Sequence, residues 1–157
     1  MKSRDHAGVF VPPPLLYVTP LVIAATVHSS RPWPIADGNG MALTLAGVLI
    51  LAMSIAIGLA SVVSFRNANT TILPAGRPTT AIVERGPYRF TRNPMYLAMT
   101  IGYVGMALLF NSVWSLLPLP LVWLVVDLFV IRREERYLGK KFGESYRDYT
   151  LRVRRWL

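Results

Sequence analysis

Two short stretches hold most of the side chains able to do chemistry. One is Gly86-Pro87-Tyr88-Arg89-Phe90-Thr91-Arg92-Asn93-Pro94-Met95-Tyr96; the other is Arg132-Arg133-Glu134-Glu135-Arg136-Tyr137-Leu138. Arginine beside glutamate at the border of an apolar segment suits a zwitterion. A guanidinium grips a carboxylate with two parallel bonds, and a carboxylate accepts from an ammonium. An amino-acid headgroup carries both charges. Asp127 lies deep in an apolar run, where an ionisable side chain is a functional candidate by default. It precedes Glu134 by about two helical turns and shares its face roughly. The chain has no cysteine, which excludes a thiolate nucleophile, a disulfide framework and a thiolate metal site. His6 and His28 are far apart in sequence, so no metal site is expected.

Plainer readings stand beside these. Arg89 and Arg92 could snorkel to phosphates at a helix start. Glu134 and Glu135 could be solvated residues pairing with Arg132, Arg133 and Arg136. Asn93-Pro94 has the form of a helix cap followed by proline at the first helical position. Tyr103 reads as a packing aromatic, and Asp127 could line a polar pocket or pair with a hydroxyl or an arginine. His28 reads as interfacial and His6 as part of a tail.

Long apolar blocks must position these residues. The 157-residue chain is 53% hydrophobic and only 16% charged. Its mean hydropathy is +0.41, and the apolar residues come in blocks, which points to a bilayer as solvent. Four membrane segments are expected, at 9–28, 41–65, 93–110 and 113–131. The first contains Pro12, Pro13, Pro14 and Pro20. The second has no charge, and its glycines and alanines (Ala42, Ala46, Ala52, Ala56, Ala60) would let a neighbour approach closely. Ala98 and Gly102 form a small-xxx-small pair in the third. Asn111-Ser112 reads as a tight turn with an N-cap, making a hairpin of segments three and four, with Pro118 and Pro120 kinking the last. Ser29–Gly40 reads as a turn in which Trp33 suits a membrane boundary. The polar connection 67–92 is long enough to suggest function. Over 132–157, Leu138, Phe142, Tyr146, Tyr149, Val153 and Trp156 recur at helical spacing, predicting a C-terminal amphipathic helix and a packing stripe.

The net charge of +9 gathers at the ends of the apolar blocks. This favours anionic membrane lipids as partners over nucleic acid, which is not expected. With four crossings, the basic residues before segment one, between two and three, and after four fall on one face, leaving Arg31 opposite. The positive-inside rule makes that face, with both termini, cytoplasmic. The first segment is read as retained, not as a cleaved signal peptide.

GPYRFTRNPMYLA resembles the "GPY…RHPxY" motif of the isoprenylcysteine carboxyl methyltransferase family, and EERYLGKKFGESYRDYTLRVRRW resembles its "EExxL…FGxxYxxYxxRV" tail. The likeness runs from about Thr70 to Trp156 and extends to bacterial, phospholipid-methyltransferase-like members. It implies an all-α integral membrane methyltransferase using S-adenosylmethionine, probing from a cytoplasmic pocket a lipophilic acceptor (carboxylate, thiol or amine) that arrives sideways from the bilayer. A bacterial inner membrane is the expected location. On this resemblance Arg92 and Glu134 are the candidate catalytic residues. Tyr88, Asn93, Pro94, Tyr96, Glu135, Leu138, Tyr146 and Tyr149 are candidate cofactor-binding residues, and Arg152 and Val153 also match the tail. Glu134 would meet the cofactor ammonium or order the site. Asn93 and Tyr96 would bind the methionine portion, and Arg92 an anionic acceptor group or the cofactor carboxylate. The tyrosines 88, 146 and 149 would wall the adenine. Asn93 stands where the family commonly has histidine: it keeps a donor and an acceptor but cannot act as a cationic or basic group. Two other classes fit the same blocks: an NADPH-dependent membrane reductase with a sterol-reductase-like core, and a non-enzymatic membrane subunit.

Overall fold

A computed structural model describes residues 12–37, 40–68 and 80–157, and all regular structure among these is helical. Helix α1 is Pro13–Ser30, α2 is Met41–Asn67 and α3 is Pro94–Leu109. Helix α4 is the long run Val113–Phe142, and α5 is Glu144–Arg152. Helices α2 and α4 are long and apolar enough to cross a membrane; α3 is apolar but shorter. At 1.5 Å per residue, α2 extends about 40 Å, more than a hydrocarbon core needs. The expected start of the first segment at Val9 lies outside the described residues, as do residues 69–79 of the connecting loop and the Gly38-Asn39 part of the turn.

Helices α2 and α3 pack closely because small residues face each other. A Cβ on Gly105 would sit 3.1 Å from the Gly47 carbonyl oxygen and 3.1 Å from the Leu51 nitrogen. The Ser54 hydroxyl donates to the Ala98 carbonyl at 2.7 Å, and a Cβ on Gly102 would press on that hydroxyl at 2.7 Å. The small-xxx-small pair of α3 is thus used as expected. On α2 the packing face differs from expectation. Gly47, Ser54, Ser61 and Ser64 are the buried residues, whereas Ala42, Ala52, Ala56 and Ala60 are exposed. Ser61 and Ser64 turn their hydroxyls back onto the Ile57 and Ala60 carbonyls, both at 2.7 Å, so each polar group is satisfied within the helix.

Near the start of α4 the chain is pinned by polar contacts. Ser112 caps α4 by accepting from the Ser115 amide at 3.2 Å. Asn111, in the left-handed region at φ 47°, accepts from the amides of Ile35 and Ala36. The Trp114 indole donates to the Arg31 carbonyl, and its ring meets Trp33 edge-on at 5.3 Å. The α-helical pattern of α4 pauses at Leu117-Pro118, and Val126–Ile131 is π-helical, the Arg132 amide bonding back to the Asp127 carbonyl. Such insertions often sit at functional sites.

The single helix expected over 132–157 is two helices and an extended end. Gly143, at φ +54°, breaks the helix between Phe142 and Glu144, a conformation glycine adopts without a Cβ clash. Beyond Arg152 the chain is extended, with Val153 at φ −125° and ψ 129°. Tyr146, Tyr149 and Val153 form a buried cluster with Leu138, Phe142 and Ile82, so the stripe is a packing face as read from its spacing.

Candidate active site

The site is assembled from the loop before α3, the end of α4 and the extended C-terminal strap. The loop is held first. Gly86, at φ +60°, opens a 3-10 turn over Gly86–Arg89, and a Cβ there would run into the Ser64 hydroxyl of α2. This turn buries Tyr88 edge-on against Phe65 at 5.3 Å. The Tyr149 hydroxyl donates to the Tyr88 carbonyl at 2.8 Å. Burial pushes the phenols of Tyr88 and Tyr149 upward and that of Tyr146 up to about 12, so all three stay protonated donors at neutral pH.

The strap then closes on the loop like a strand. The Arg92 amide donates to the Arg154 carbonyl at 3.0 Å. The Arg155 carbonyl accepts from the Thr91 hydroxyl at 3.0 Å and from the Asn93 amide group at 2.9 Å. Asn93 precedes α3 in the cap position, yet its side chain makes no cap bond. Its carboxamide is turned to the strap instead, which corrects the reading of Asn93-Pro94 as a side-chain cap. Pro94 is buried at the first helical position, and its fixed φ and missing N–H suit it there.

One turn on, the Tyr96 hydroxyl donates to Glu134 Oε1 at 2.8 Å, tying α3 to the end of α4. Next to it, Glu135 takes two guanidinium groups. Arg155 binds it in a fork, Nε at 3.1 Å and Nη2 at 2.6 Å. Arg92 Nη2 approaches Oε1 at 3.2 Å. Asp127 likewise faces two cations, Arg132 Nε at 3.3 Å and Arg155 Nη1 at 3.6 Å, and accepts from the Trp156 indole N–H at 3.2 Å. Trp156 packs against Trp123, ring centroids 5.5 Å apart and planes tilted by 35°, holding the strap against α4.

This leaves an asymmetry. Asp127 and Glu135 each face two arginines, whereas Glu134 has the Tyr96 hydroxyl as its partner and no cation among the described residues. Burial pushes the Glu134 carboxyl up to about 7, against the Tyr96 bond that favours the ion and with the nearby Glu135 charge. On the other side, Arg92 Nε is buried without a hydrogen-bond partner. Arg92 meets Glu135, the residue next to Glu134, so the two groups belong to one cluster. An unsatisfied buried donor is costly; here it belongs to an arginine whose partner, Glu135, is next in sequence to the carboxylate lacking a counter-ion.

Arg92, Asn93, Tyr96, Glu134, Glu135 and Tyr146 are therefore gathered together. Leu138 and Tyr149 belong to the adjoining packed cluster, and Tyr88 joins through Tyr149. Sequence reasoning did not single out Thr91 or Arg155. Arg155 was one basic residue among several in the tail, and nothing in its spacing marks a main-chain carbonyl as an acceptor. Asp127 carried a signal, an acid in an apolar run, and it resolves to arginine and indole pairing.

Residues 42–145 match the family model described as phospholipid methyltransferase. The chain is 40% identical over 63 residues to an uncharacterized protein of Haemophilus influenzae, covering 40% of this chain and 100% of that one. It is 33% identical over 79 residues to the nickel-cobalt-cadmium resistance protein NccN of Alcaligenes xylosoxydans xylosoxydans. It is 31% identical, also over 79 residues, to the cobalt-zinc-cadmium resistance protein CzcN of Cupriavidus metallidurans. Each of these two matches covers 50% of this chain but only 37% and 36% of the relative. No solved structure matches the chain.

Proposed function

We propose, from the premise that this chain belongs to the phospholipid methyltransferase family, that it uses S-adenosylmethionine to methylate a lipophilic acceptor at the cytoplasmic membrane face. Family membership makes it a membrane methyltransferase; the donor, the acceptor class and the face are our reading. The observation that carries the donor is the unsatisfied pair: Arg92 Nε without a partner and Glu134 without a counter-cation. These fit the carboxylate and ammonium of an amino acid, which the methionine end of S-adenosylmethionine presents.

In this reading Arg92 binds the donor carboxylate and Glu134 the ammonium. Tyr96 orients Glu134, and Glu135 lies against Arg92 without taking it in a fork. Asn93, already anchored through its amide, has its carbonyl oxygen left to accept. Tyr88, Tyr146 and Tyr149, with Pro94 and Leu138, form the wall beside the adenine. S-adenosylmethionine supplies an electrophilic methyl group on a sulfonium. The residues contribute alignment and water exclusion, and positioning alone can lower a barrier by about 7–11 kcal/mol. Asn93 cannot serve as a base, so the acceptor, a carboxylate, thiol or amine, receives no help with proton removal from this position.

A multi-pass arrangement goes with this reading, with segments at 9–28, 41–65, 93–110 and 113–131, a cytoplasmic loop at 67–92 and a cytoplasmic tail at 132–157. The whole chain acts as one membrane domain with both termini inside, in a bacterial inner membrane. The site then lies at the inner leaflet, where a lipid-borne acceptor can reach it laterally. Calorimetry on the detergent-purified chain, with S-adenosylmethionine, S-adenosylhomocysteine and NADPH titrated separately, tests the class. Saturable binding of the two adenosyl compounds and none of NADPH is expected. Binding of NADPH alone would overturn the reading in favour of a reductase.

A further inference from the structure

Glu135 is shared unequally between two arginines, and the inequality has a consequence for Arg92. Arg155 takes both carboxylate oxygens, Nε to Oε1 and Nη2 to Oε2. Arg92 comes nearest through one terminal nitrogen, Nη2, to Oε1 at 3.2 Å. A guanidinium ordinarily grips a carboxylate with two parallel N–H bonds. Arg92 is denied that grip because Arg155 already occupies the fork, and the buried Nε of Arg92 is left without a partner. Arg155 is in turn braced from behind by Asp127, which also receives the Trp156 indole.

We propose that Arg155 is a positioning residue: by occupying Glu135 it keeps one edge of the Arg92 guanidinium available for the carboxylate of the methyl donor. The inference rests on the donor reading above and adds a residue to which the resemblance gave no role. Without the Arg155 side chain, Glu135 turns to take Arg92 in the two-point grip, and the donor carboxylate loses its partner. The strap itself does not depend on that side chain, because Thr91, Arg92 and Asn93 bond to main-chain carbonyls of residues 154 and 155. Arg155→Ala therefore changes how charge is divided while the strap keeps its main-chain bonds.

The test is calorimetric affinity for S-adenosylhomocysteine, measured on the full chain in detergent alongside its thermal midpoint. Arg155→Ala should weaken binding by about tenfold, the loss of one charge-assisted hydrogen bond. Arg155→Lys, which keeps the charge but lacks the fork, should weaken it less. Adding Glu135→Gln to either variant should recover most of the affinity, because the competitor for Arg92 is then neutral. A purely structural role predicts instead that affinity falls and recovers only together with the thermal midpoint, since Glu135→Gln also relieves the carboxylate that Arg155→Ala leaves short of a partner; the proposal requires the affinity to change while the thermal midpoint stays put. Unchanged affinity in Arg155→Ala, or no recovery in the double variants at a retained thermal midpoint, would overturn the proposal. Failure of the unaltered protein to bind S-adenosylhomocysteine would instead overturn the donor reading, and this inference with it.

Discussion

Glu134 concentrates the chemistry at the scale of single residues. Its carboxyl is pushed up to about 7 by burial, so near neutrality the unliganded site holds a mixture of acid and carboxylate. Only the ion attracts an ammonium. Binding of S-adenosylhomocysteine should therefore tighten as pH rises through about 7, with proton release below it. Titration calorimetry in two buffers of different ionisation enthalpy measures that release. Glu134→Gln should weaken binding by about tenfold or more and abolish the proton release. Stability of the empty protein runs in the opposite sense. A raised folded-state value means that protons favour the fold, so Glu134's contribution is full below the ordinary glutamate range and fades as pH rises through about 7. Tyr96→Phe removes the hydroxyl that favours the ion. It should shift the binding midpoint to higher pH, a displacement readable from the same titrations. Types and motif order made Arg92, Tyr96 and Glu134 legible in the sequence, but not which acid would lack a cation. That depended on where Arg155 landed, and an arginine 20 positions beyond Glu135 carries no local periodicity to announce it.

At the scale of elements, the crossing of α2 and α3 positions the loop that carries Arg92. Apolar blocks and proline positions made these helices legible, and the Ala98–Gly102 pair identified one side of the contact. The other side was read in part: glycines and alanines were expected to allow close approach, and Gly47 does, but the serines carried no such signal and most of the alanines are exposed. The contact selected Gly47 for closeness and Ser54 for a hydrogen bond to a main-chain carbonyl. In lipid, apolar burial gives helices no preference for one another, so close packing and polar contacts decide the face. Gly105 tests this. Its neighbours across the crossing are main-chain atoms of Gly47 and Leu51, which cannot swing aside as a flexible side chain would. Gly105→Leu should destabilise the protein by about 1–3 kcal/mol through overpacking, seen as a lower thermal midpoint in detergent. The π-helical turn and the break at Gly143 were not legible. An extra residue in a helical turn leaves hydrophobic spacing almost intact, and Gly143 shares its composition cue with Gly139, which stays helical.

The whole molecule has two chemically unlike poles. One gathers Arg31, Trp33, Asn111 and Trp114, where α1 ends and α4 begins. The other gathers the Gly86–Arg89 turn, the end of α4 and the strap, with Arg92, Arg132 and Arg155 drawn onto two carboxylates, Asp127 and Glu135. Helices α2, α3 and α4 run between the poles, so a bilayer around them would leave the poles on opposite sides. Most arginines and lysines of the chain lie in the segments of the second pole, and the proposed reading, through the positive-inside rule, puts it on the cytoplasmic side. The absence of native cysteine makes the assignment directly measurable, because a single introduced thiol is the sole target of a maleimide. Asp37 and Lys140 are exposed at opposite poles. In bacterial spheroplasts, Asp37→Cys should react with a membrane-impermeant maleimide at once, and Lys140→Cys only after permeabilisation. Labelling of Lys140→Cys in intact spheroplasts would put the Arg92–Glu134 site on the outer face, away from cytoplasmic S-adenosylmethionine, and the proposed donor would then have no route to the residues that fit it.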